Sequence, residues 1–485
     1  MDEDTSTPSP KPNGILRSLL VPPAPEPESV IYLQSHRRTL APIQTLPNDI
    51  LREILLQWCR LVSEKDPISA RQTQRPRKEF DSLDLTLPQW VCAQVCRSWR
   101  QAAFSCSHLW SPLCIYIPGP SDSDEKRKCM NHNLTSLLRW LGNRPLTVEV
   151  KSYYSFTHLD DVLLSTLCSH SSRWERLGLT MKADILGHLL PLLKAKILEV
   201  PLLHTLFLDF WKPPPEGIVL DVFENAPNLK RIVIADGLPN VRGVLKIPWH
   251  RITEIQLASE FRASGVDPLD HLMQSSGIVS YYDTQFACPQ GPGIHLPLLR
   301  IMMLRITGLV EWLDFERFQT LNLTELRLRD GGTEGDINSL VAFLHRQGST
   351  LRTLYLESSL IPEQRMIQVA EHLTALTSLS YVYRYPSSKS TLLSALIDLN
   401  LLPCLRSLLL YGCPAFVWKV MSSMLSARLS QGNGPFQKFG LPSNYIHFVK
   451  EDLERFKAQG LEIESTEGWD GSWLPGEWDS QPPPA

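Results

Sequence analysis

The sequence has no large excess of charge of either sign and no long apolar run. It contains 48 Lys and Arg against 51 Asp and Glu, a formal net charge of −3. This balance argues against nucleic acid or an anionic membrane as the main partner. No stretch of about 18 apolar residues is present, so we expect no membrane-spanning helix. The acidic residues 1–5 lack an apolar core, which argues against a secretory signal.

Cysteine is sparse and scattered. The 485 residues include 10 cysteines, and no two of them are spaced as Cys-x-x-Cys. This usage is typical of reduced thiols in a large intracellular chain. We therefore predict a soluble protein of the cytoplasm, the nucleus or both.

Motifs that would supply catalysis are absent as well. The chain has no Gly-x-x-x-x-Gly-Lys loop, no Gly-x-Ser-x-Gly elbow and no His-Glu-x-x-His helix. Cys129 with His132, and Cys168 with His170, are isolated pairs, whereas a structural zinc site needs four ligands. We predict no catalytic residues, no metal and no cofactor, and hence a protein that is not an enzyme.

Proline and leucine divide the chain into regions. There are 38 prolines, and those in residues 1–41 predict a Pro-rich, mostly disordered segment. Residues 42–115 have the apolar spacing of a helical domain. Residues 135–465 instead show short strands at regular intervals, and residues 466–485 are predicted to be a flexible tail. The predicted fold class is α/β, with a small helical module followed by a solenoid of parallel strands.

From about residue 145 onward the chain repeats the pattern apolar-x-x-apolar-x-apolar at intervals of 21 to 29 residues. This is the period of leucine-rich repeats, in which each strand buries its apolar face by stacking beside the next. The middle apolar residue of each motif serves as its marker. Tyr281 is a weak marker that divides an interval of 47 residues into 26 and 21. The markers are Val148, Leu177, Leu206, Ile232, Ile255, Tyr281, Met302, Leu326, Leu354, Leu379 and Leu408.

The segments between the strands must return the chain to the start of the sheet, since parallel strands need a crossover. Helix-like spacing occurs at 337–345, 364–373, 392–399 and 446–458, and a closing strand is predicted at 461–464. The Asn or Cys of a strict leucine-rich repeat is missing from most units, so the repeats are degenerate.

Two segments of the helical region carry a spaced motif. Residues 42–55 fit the pattern Leu-Pro-x-Asp/Glu-Ile-Leu-x-x-Ile, beginning at Leu46. Residues 90–103 fit Val-Cys/Ser-x-x-Trp-x-x-x-Ala, and Leu109 and Trp110 follow. In this order the segments resemble an F-box, most closely the kind that precedes degenerate leucine-rich repeats in mushroom-type fungi.

The resemblance implies a three-helix module that docks on a Skp-family adaptor and, through it, on a cullin. The chain would then be the non-catalytic substrate-recognition subunit of an SCF-type ubiquitin ligase, with the transfer chemistry left to its partners. Alternatively, the same side chains are only the core of a helical bundle. The residues implied to bind the adaptor are Leu46, Pro47, Ile50, Leu51, Ile54, Val91, Val95, Trp99 and Trp110.

The middle of the motif departs from a compact F-box, because about 30 residues separate its two halves. Either the first helix extends through Trp58 and Leu61, or the insertion loops out. The departure affects the register of the middle helix and leaves the two ends of the motif unchanged.

The repeat region would present a protein substrate with the residues between the strand markers. Arg327 and Arg329, with Asp330, could bind an acidic or phosphorylated segment, or they could form a paired surface network. The alternative at any single position is a solvated sheet face. The competing function is a leucine-rich-repeat interaction scaffold with no ubiquitin-ligase role. The candidate substrate-binding residues are Phe207, Gln256, Arg327 and Tyr355.

Overall fold

The structure is a computed structural model. The disorder predicted for 1–41 and for the tail after Thr466 lies outside the described residues. The chain forms two compact units, one of Met1–Thr73 with Pro88–Leu109 and one of Gln74–Leu87 with Trp110–Ala485. The described residues are 46–64, 81–110, 113–154, 158–182, 191, 194, 199–210, 219–236, 245–257, 277–286, 293–306, 315–330, 337–357, 360–383, 391–412, 417–430 and 436–466.

The described part of the first unit consists of helices α1 (Asn48–Glu64), α2 (Pro88–Val95) and α3 (Arg97–Ser105). The first helix begins directly after Pro47, where a backbone donor is not needed. It continues through residues 58 and 61, so the first of the two alternatives for the insertion is the one found. Each of the three helices contacts the other two.

Two arginine side chains form hydrogen bonds between these helices. Arg100 of α3 donates from Nε to the carbonyl oxygen of Ala93 in α2, at 2.8 Å. Arg52 of α1 donates from Nη2 to the carbonyl oxygen of Ser105 at the end of α3, at 3.2 Å. Each bond satisfies a carbonyl near a helix C-terminus, where intrahelical donors run out.

The second unit contains one long parallel sheet. Fourteen of its strands follow one another in chain order and every neighbouring pair is parallel, while β8 and β10 form a separate two-stranded sheet. The predicted α/β class with stacked parallel strands is thereby confirmed. The strands are β1 (Leu113–Tyr116), β2 (Leu146–Ser152), β3 (Trp174–Met181), β4 (Thr205–Phe210), β5 (Arg231–Asp236), β6 (Glu254–Leu257), β7 (Ser280–Phe286), β8 (Ile294–His295), β9 (Ile301–Ile306), β10 (Phe318–Gln319), β11 (Glu325–Asp330), β12 (Thr353–Glu357), β13 (Ser378–Val382), β14 (Ser407–Tyr411), β15 (Lys438–Leu441) and β16 (Glu462–Ser465).

The marker residues of the repeats lie on one ladder across this sheet. Val148 pairs with Leu177, Leu177 with Leu206, and so on to Leu408. Tyr281 pairs with Ile255 on one side and with Met302 on the other, which confirms it as a marker. All of these side chains are buried. The sheet therefore gathers the core residues of successive repeats into one apolar layer.

Helices lie in several of the crossovers. Each of the four predicted helical stretches overlaps a helix, whereas the helix at Trp418–Leu429 was not predicted. Neighbouring helices contact each other from α6 through α9. The predicted closing strand at 461–464 corresponds to β16. The helices of the second unit are α4 (Asp124–Leu141), α5 (His158–Cys168), α6 (Ile337–Arg346), α7 (Glu363–Ala370), α8 (Thr391–Ala395), α9 (Trp418–Leu429), α10 (Ser443–Ile446) and α11 (Lys450–Ala458).

The boundary between the predicted domains is displaced. The helical domain was expected to reach residue 115 and the repeats to begin at 135, but the second unit resumes at Trp110 and its first strand begins at Leu113. Leu113 pairs with Val148 and is thus the marker of β1. Trp110 precedes it by three residues, the position that Leu203 holds relative to Leu206. The Trp110-x-x-Leu113-x-Ile115 motif is therefore a repeat motif that begins with tryptophan instead of leucine.

A turn before β14 combines an unusual backbone with a buried cation. Leu402 has a φ of 52°, the only positive φ at a non-glycine position among the described residues. Arg428 of α9 donates to the carbonyl oxygens of Leu396 and Leu402, each at 3.0 Å. Burial lowers the pKa of the Arg428 guanidinium. The guanidinium thus adds donors to buried carbonyls of this turn, one of which, that of Leu402, also accepts from the backbone N–H of Leu405 at 3.1 Å.

Candidate functional site

The start of α1 places the predicted Leu-Pro pair at the surface of the first unit. Leu46 is half-buried and Pro47 is exposed. The carbonyl of Pro47 accepts from the backbone N–H of Leu51 at 3.1 Å, so the pair is held against the first helical turn. Proline fixes its own backbone, and this contact therefore presents a small apolar surface of low conformational freedom.

Successive residues of α1 divide between core and surface. Leu51 and Leu55 are buried, whereas Ile50 is 49% and Ile54 is 38% exposed. Residues four apart lie on the same helical face and neighbours lie about 100° apart. One face of α1 therefore packs on the unit while an adjoining aliphatic face is open.

The second helix repeats this arrangement. Val91 is 42% and Val95 is 56% exposed, while Cys92 and Ala93 between them are buried. Because Val91 and Val95 are also four residues apart, they share one face of α2. The first unit thus leaves two aliphatic pairs uncovered on helices that contact each other. We call Ile50, Ile54, Val91 and Val95 the aliphatic surface.

Three residues that the motif assigned to adaptor binding have too little exposed surface for that role. Leu51 and Trp99 are buried in the first unit, and Trp110 is buried in the second. Leu51 and Trp99 lie on the inner faces of α1 and α3, and Trp110 is the first apolar residue of the β1 repeat motif. We assign these three side chains to the cores, which leaves Leu46, Pro47 and the aliphatic surface as the accessible part of the motif.

The four candidate substrate-binding residues all lie on one ladder of the sheet, next to the marker ladder and on the opposite face. The pairing passes from Phe207 through Val233 to Gln256, and from Met303 through Arg327 to Tyr355. Gln256 and Tyr355 are buried, whereas Phe207 and Arg327 are half-buried. Only Phe207 and Arg327 therefore combine the predicted position with accessible surface.

The charged side chains around Arg327 are paired with carboxylates. Arg327 Nη2 lies 2.6 Å from Glu325 Oε1, and Arg329 Nε lies 3.2 Å from Glu357 Oε1. Burial, with a further contribution from Glu357, raises the pKa of the Tyr355 hydroxyl above its usual range. Of the two interpretations of Arg327 and Arg329, these distances favour the paired network.

A buried carboxyl that sequence reasoning missed is Asp81. It accepts from the backbone N–H of Leu83 at 3.0 Å, next to a segment in which Ser82 exchanges hydrogen bonds with Cys114 of β1. Burial raises the pKa of Asp81 from 3.8 to about 6, although backbone donors oppose the shift. No motif in the sequence marks this position, because its burial arises from pairing with a strand 30 residues further on.

Metal-binding clusters and membrane-spanning helices are both absent from the described residues. Among the described residues, no group of three or more His, Cys, Asp or Glu side chains is arranged to hold a metal ion. None of the described helices combines the length and the apolar character needed to cross a membrane.

No protein-family model matches the sequence, and no curated protein matches it significantly.

Proposed function

We propose that the first unit is an F-box that docks on a Skp-family adaptor, and that the second unit is a leucine-rich-repeat solenoid that holds a protein substrate. The chain would then be the non-catalytic substrate receptor of an SCF-type ubiquitin ligase, linked to a cullin through the adaptor and acting in the cytoplasm, the nucleus or both. The observation that carries the proposal is the aliphatic surface of the first unit.

The exposure of this surface supports a docking role, because contact between aliphatic side chains and water is energetically unfavourable. Ile50, Ile54, Val91 and Val95 are each more than a third exposed, although the inner faces of the same helices are packed. Burying an aliphatic side chain is worth roughly 1.5–3 kcal/mol when it is complete. Four such side chains, beside the Leu46-Pro47 pair, are enough to form the apolar centre of an interface.

The second unit supports the receptor half of the proposal through its regular sheet. Its strands bury one face in the core, and every second side chain lies on the other face, where some are accessible and others, such as Gln256 and Tyr355, are buried. Phe207 and Arg327 are the two candidate residues with accessible surface on that face. An adaptor-docking unit joined to such a sheet is the arrangement that a substrate receptor needs.

The test measures binding of the full-length chain to a purified Skp-family adaptor by calorimetry. Ile50→Ser with Val95→Ser should weaken binding by about 100-fold or more, since interface anchors each contribute roughly 2 kcal/mol. Ile397→Ser with Val162→Ser is the matched control, because these exposed residues lie on the second unit. It should bind as the wild type does.

Two outcomes would contradict the proposal. If the wild-type chain does not bind the adaptor, the interaction scaffold without a ligase role replaces it. If Ile50→Ser with Val95→Ser binds at wild-type strength, the aliphatic surface is not the docking site. Thermal unfolding of both variants shows whether the substituted chains remain folded.

A further inference from the structure

The edge of the sheet at which the strands begin carries a second regular ladder. The residue two positions before each marker donates its backbone N–H to the carbonyl of its counterpart on the preceding strand. Thr324 donates to Arg300 at 2.9 Å, Arg352 to Thr324 at 2.8 Å, and Arg406 to Thr377 at 2.7 Å. These residues are therefore evenly spaced across successive strands, about 4.8 Å apart.

Arginine and threonine alternate along this ladder. Arg300, Arg352 and Arg406 directly precede β9, β12 and β14, and threonines directly precede β11 and β13 between them. Thr324 Oγ1 donates to the carbonyl of Arg300 at 3.1 Å, and Thr377 Oγ1 to the carbonyl of Arg352 at 3.0 Å. Each hydroxyl is thus turned to the backbone, so successive cations are separated by two strand spacings, about 10 Å.

The arginine side chains themselves are available. Arg300, Arg352 and Arg406 are exposed, as is Lys230 at the same position of β5. Within the part of the chain that the structure describes, none of these four cations forms a salt bridge. We call Lys230, Arg300, Arg352 and Arg406 the basic edge.

The surrounding sequence strengthens the positive charge. The eight residues that end at Arg300, at Arg352 and at Arg406 contain four Arg in total and no Lys, Asp or Glu. Arg327 and Arg329, on the neighbouring sheet face, differ because both pair with glutamates. The segments that lead to the three arginines therefore supply no compensating negative charge.

Apolar side chains are exposed next to these cations. Leu298 lies two residues before Arg300, and Leu321 lies in the turn leading to Thr324; both are more than half exposed. Aliphatic side chains offer nothing to a phosphate backbone, and single-stranded nucleic acid binds chiefly by stacking on aromatic rings. A polypeptide with both acidic and apolar residues matches the combination of cations and leucines.

We propose that the basic edge is a docking site for an extended acidic segment of a partner protein, with apolar residues between its carboxylates. In the extended polyproline II conformation three residues complete one turn and span about 9 Å, so acidic residues three apart lie on one side of the segment and would meet successive arginines. The leucines at the edge would contact the residues between them. This interaction does not depend on whether the first unit binds an adaptor.

The test uses a fluorescein-labelled peptide of twelve residues with Glu at every third position and Leu and Ser between, added to the full-length chain. Binding is followed by fluorescence anisotropy at low and high salt. Arg300→Gln, Arg352→Gln and Arg406→Gln together should weaken binding at least 10-fold. The same three residues changed to Lys should keep most of it, because the charge is retained.

The matched control replaces three exposed cations on helices of the same unit, Lys128→Gln, Arg139→Gln and Arg365→Gln. It removes the same charge and should bind within twofold of the wild type. Equal weakening of binding by both triple variants would overturn the proposal, and so would undetectable binding to the wild type. Tighter binding of a 20-nucleotide single-stranded RNA than of the peptide would assign the edge to nucleic acid instead and overturn it as well.

Discussion

Individual side chains decide which parts of the helical unit are core and which remain open. Ile50 and Leu51 are adjacent in the chain and similar in chemistry, yet half of Ile50 is exposed and Leu51 is buried. The difference comes only from the rotation of about 100° per residue along α1. The motif therefore includes one residue of the core and one of the surface, and mutations at the two positions should have different effects.

Asp81 provides a prediction about pH. Its pKa in the folded chain is about 6, above the value of 3.8 in an open chain. Between about pH 4 and pH 6, Asp81 therefore holds a proton in the folded chain that it has lost in the unfolded chain. The free energy of unfolding accordingly decreases as pH rises through this range. Asp81→Asn removes the buried charge, so we expect it to raise the free energy of unfolding at pH 7 by about 1–2 kcal/mol. Urea unfolding at several pH values measures this.

The gain from Asp81→Asn should fade below about pH 4, where Asp81 is protonated in both states. Glu224→Gln is the control, because it neutralises an exposed carboxyl of the same unit, for which no such gain is expected. A constant difference between Asp81→Asn and wild type at all pH values would contradict the assignment of the titration to Asp81.

At the scale of elements, turns between strands depend on buried polar side chains. Arg428 crosses from α9 to bind carbonyls around Leu402, whose positive φ costs backbone energy. The turn is thus stable only because a neighbouring helix supplies donors. Gln347 has a similar role three repeats earlier, where its Nε2 donates to the carbonyl of Thr320 at 3.1 Å.

Arg428→Met should destabilise the second unit by about 2–4 kcal/mol, since it removes the guanidinium donors from the buried carbonyls of Leu396 and Leu401. Methionine keeps much of the side-chain volume, so the lost hydrogen bonds dominate. Arg365→Met, at an exposed position of α7, should change stability by less than about 0.5 kcal/mol. Chemical unfolding of both variants gives the comparison, and equal stabilities would show that the Arg428 bonds contribute nothing.

The strands were predictable from sequence because their apolar spacing alone determines both period and register. Tyr281 could be chosen as a marker from the interval lengths, and it lies on the marker ladder. The motifs of β1 and β15 were harder to recognise, because an aromatic residue replaces the leucine that opens each of them. In β15 the marker is Phe439, which pairs with Leu408, and buried Phe436 lies three residues before it, as Trp110 does before Leu113. The burial of Gln256 and Tyr355 was not predictable, since alternation along a strand gives the face of a residue and not what covers that face.

At the scale of the whole chain, each strand of the long sheet forms hydrogen bonds with the strands directly beside it. Each inner strand is hydrogen-bonded on both sides. Among the described strands β16 pairs with β15 alone, and its side chains are mostly exposed. In such arrays stability is a sum of local terms, and the ends open more often than the middle. The central strands should therefore hold the unit together when the ends are open.

Hydrogen–deuterium exchange followed by mass spectrometry tests this expectation. Amides of β12, in the interior of the sheet, should exchange at least about 100-fold more slowly than those of β16. Peptides covering residues 353–357 and 462–465 report on the two strands. Equal protection of both would show that the second unit opens only as a whole.

The marker ladder also has a consequence for engineering. Successive markers are separated by as few as 21 and as many as 35 residues, yet their pairing across the sheet is unbroken. The alignment of neighbouring strands therefore does not depend on the length of the crossover between them. Closing a longer crossover adds only a small entropic cost. An epitope or a reporter peptide spliced into a crossover would leave the neighbouring strands aligned, which makes these connections practical sites for labels.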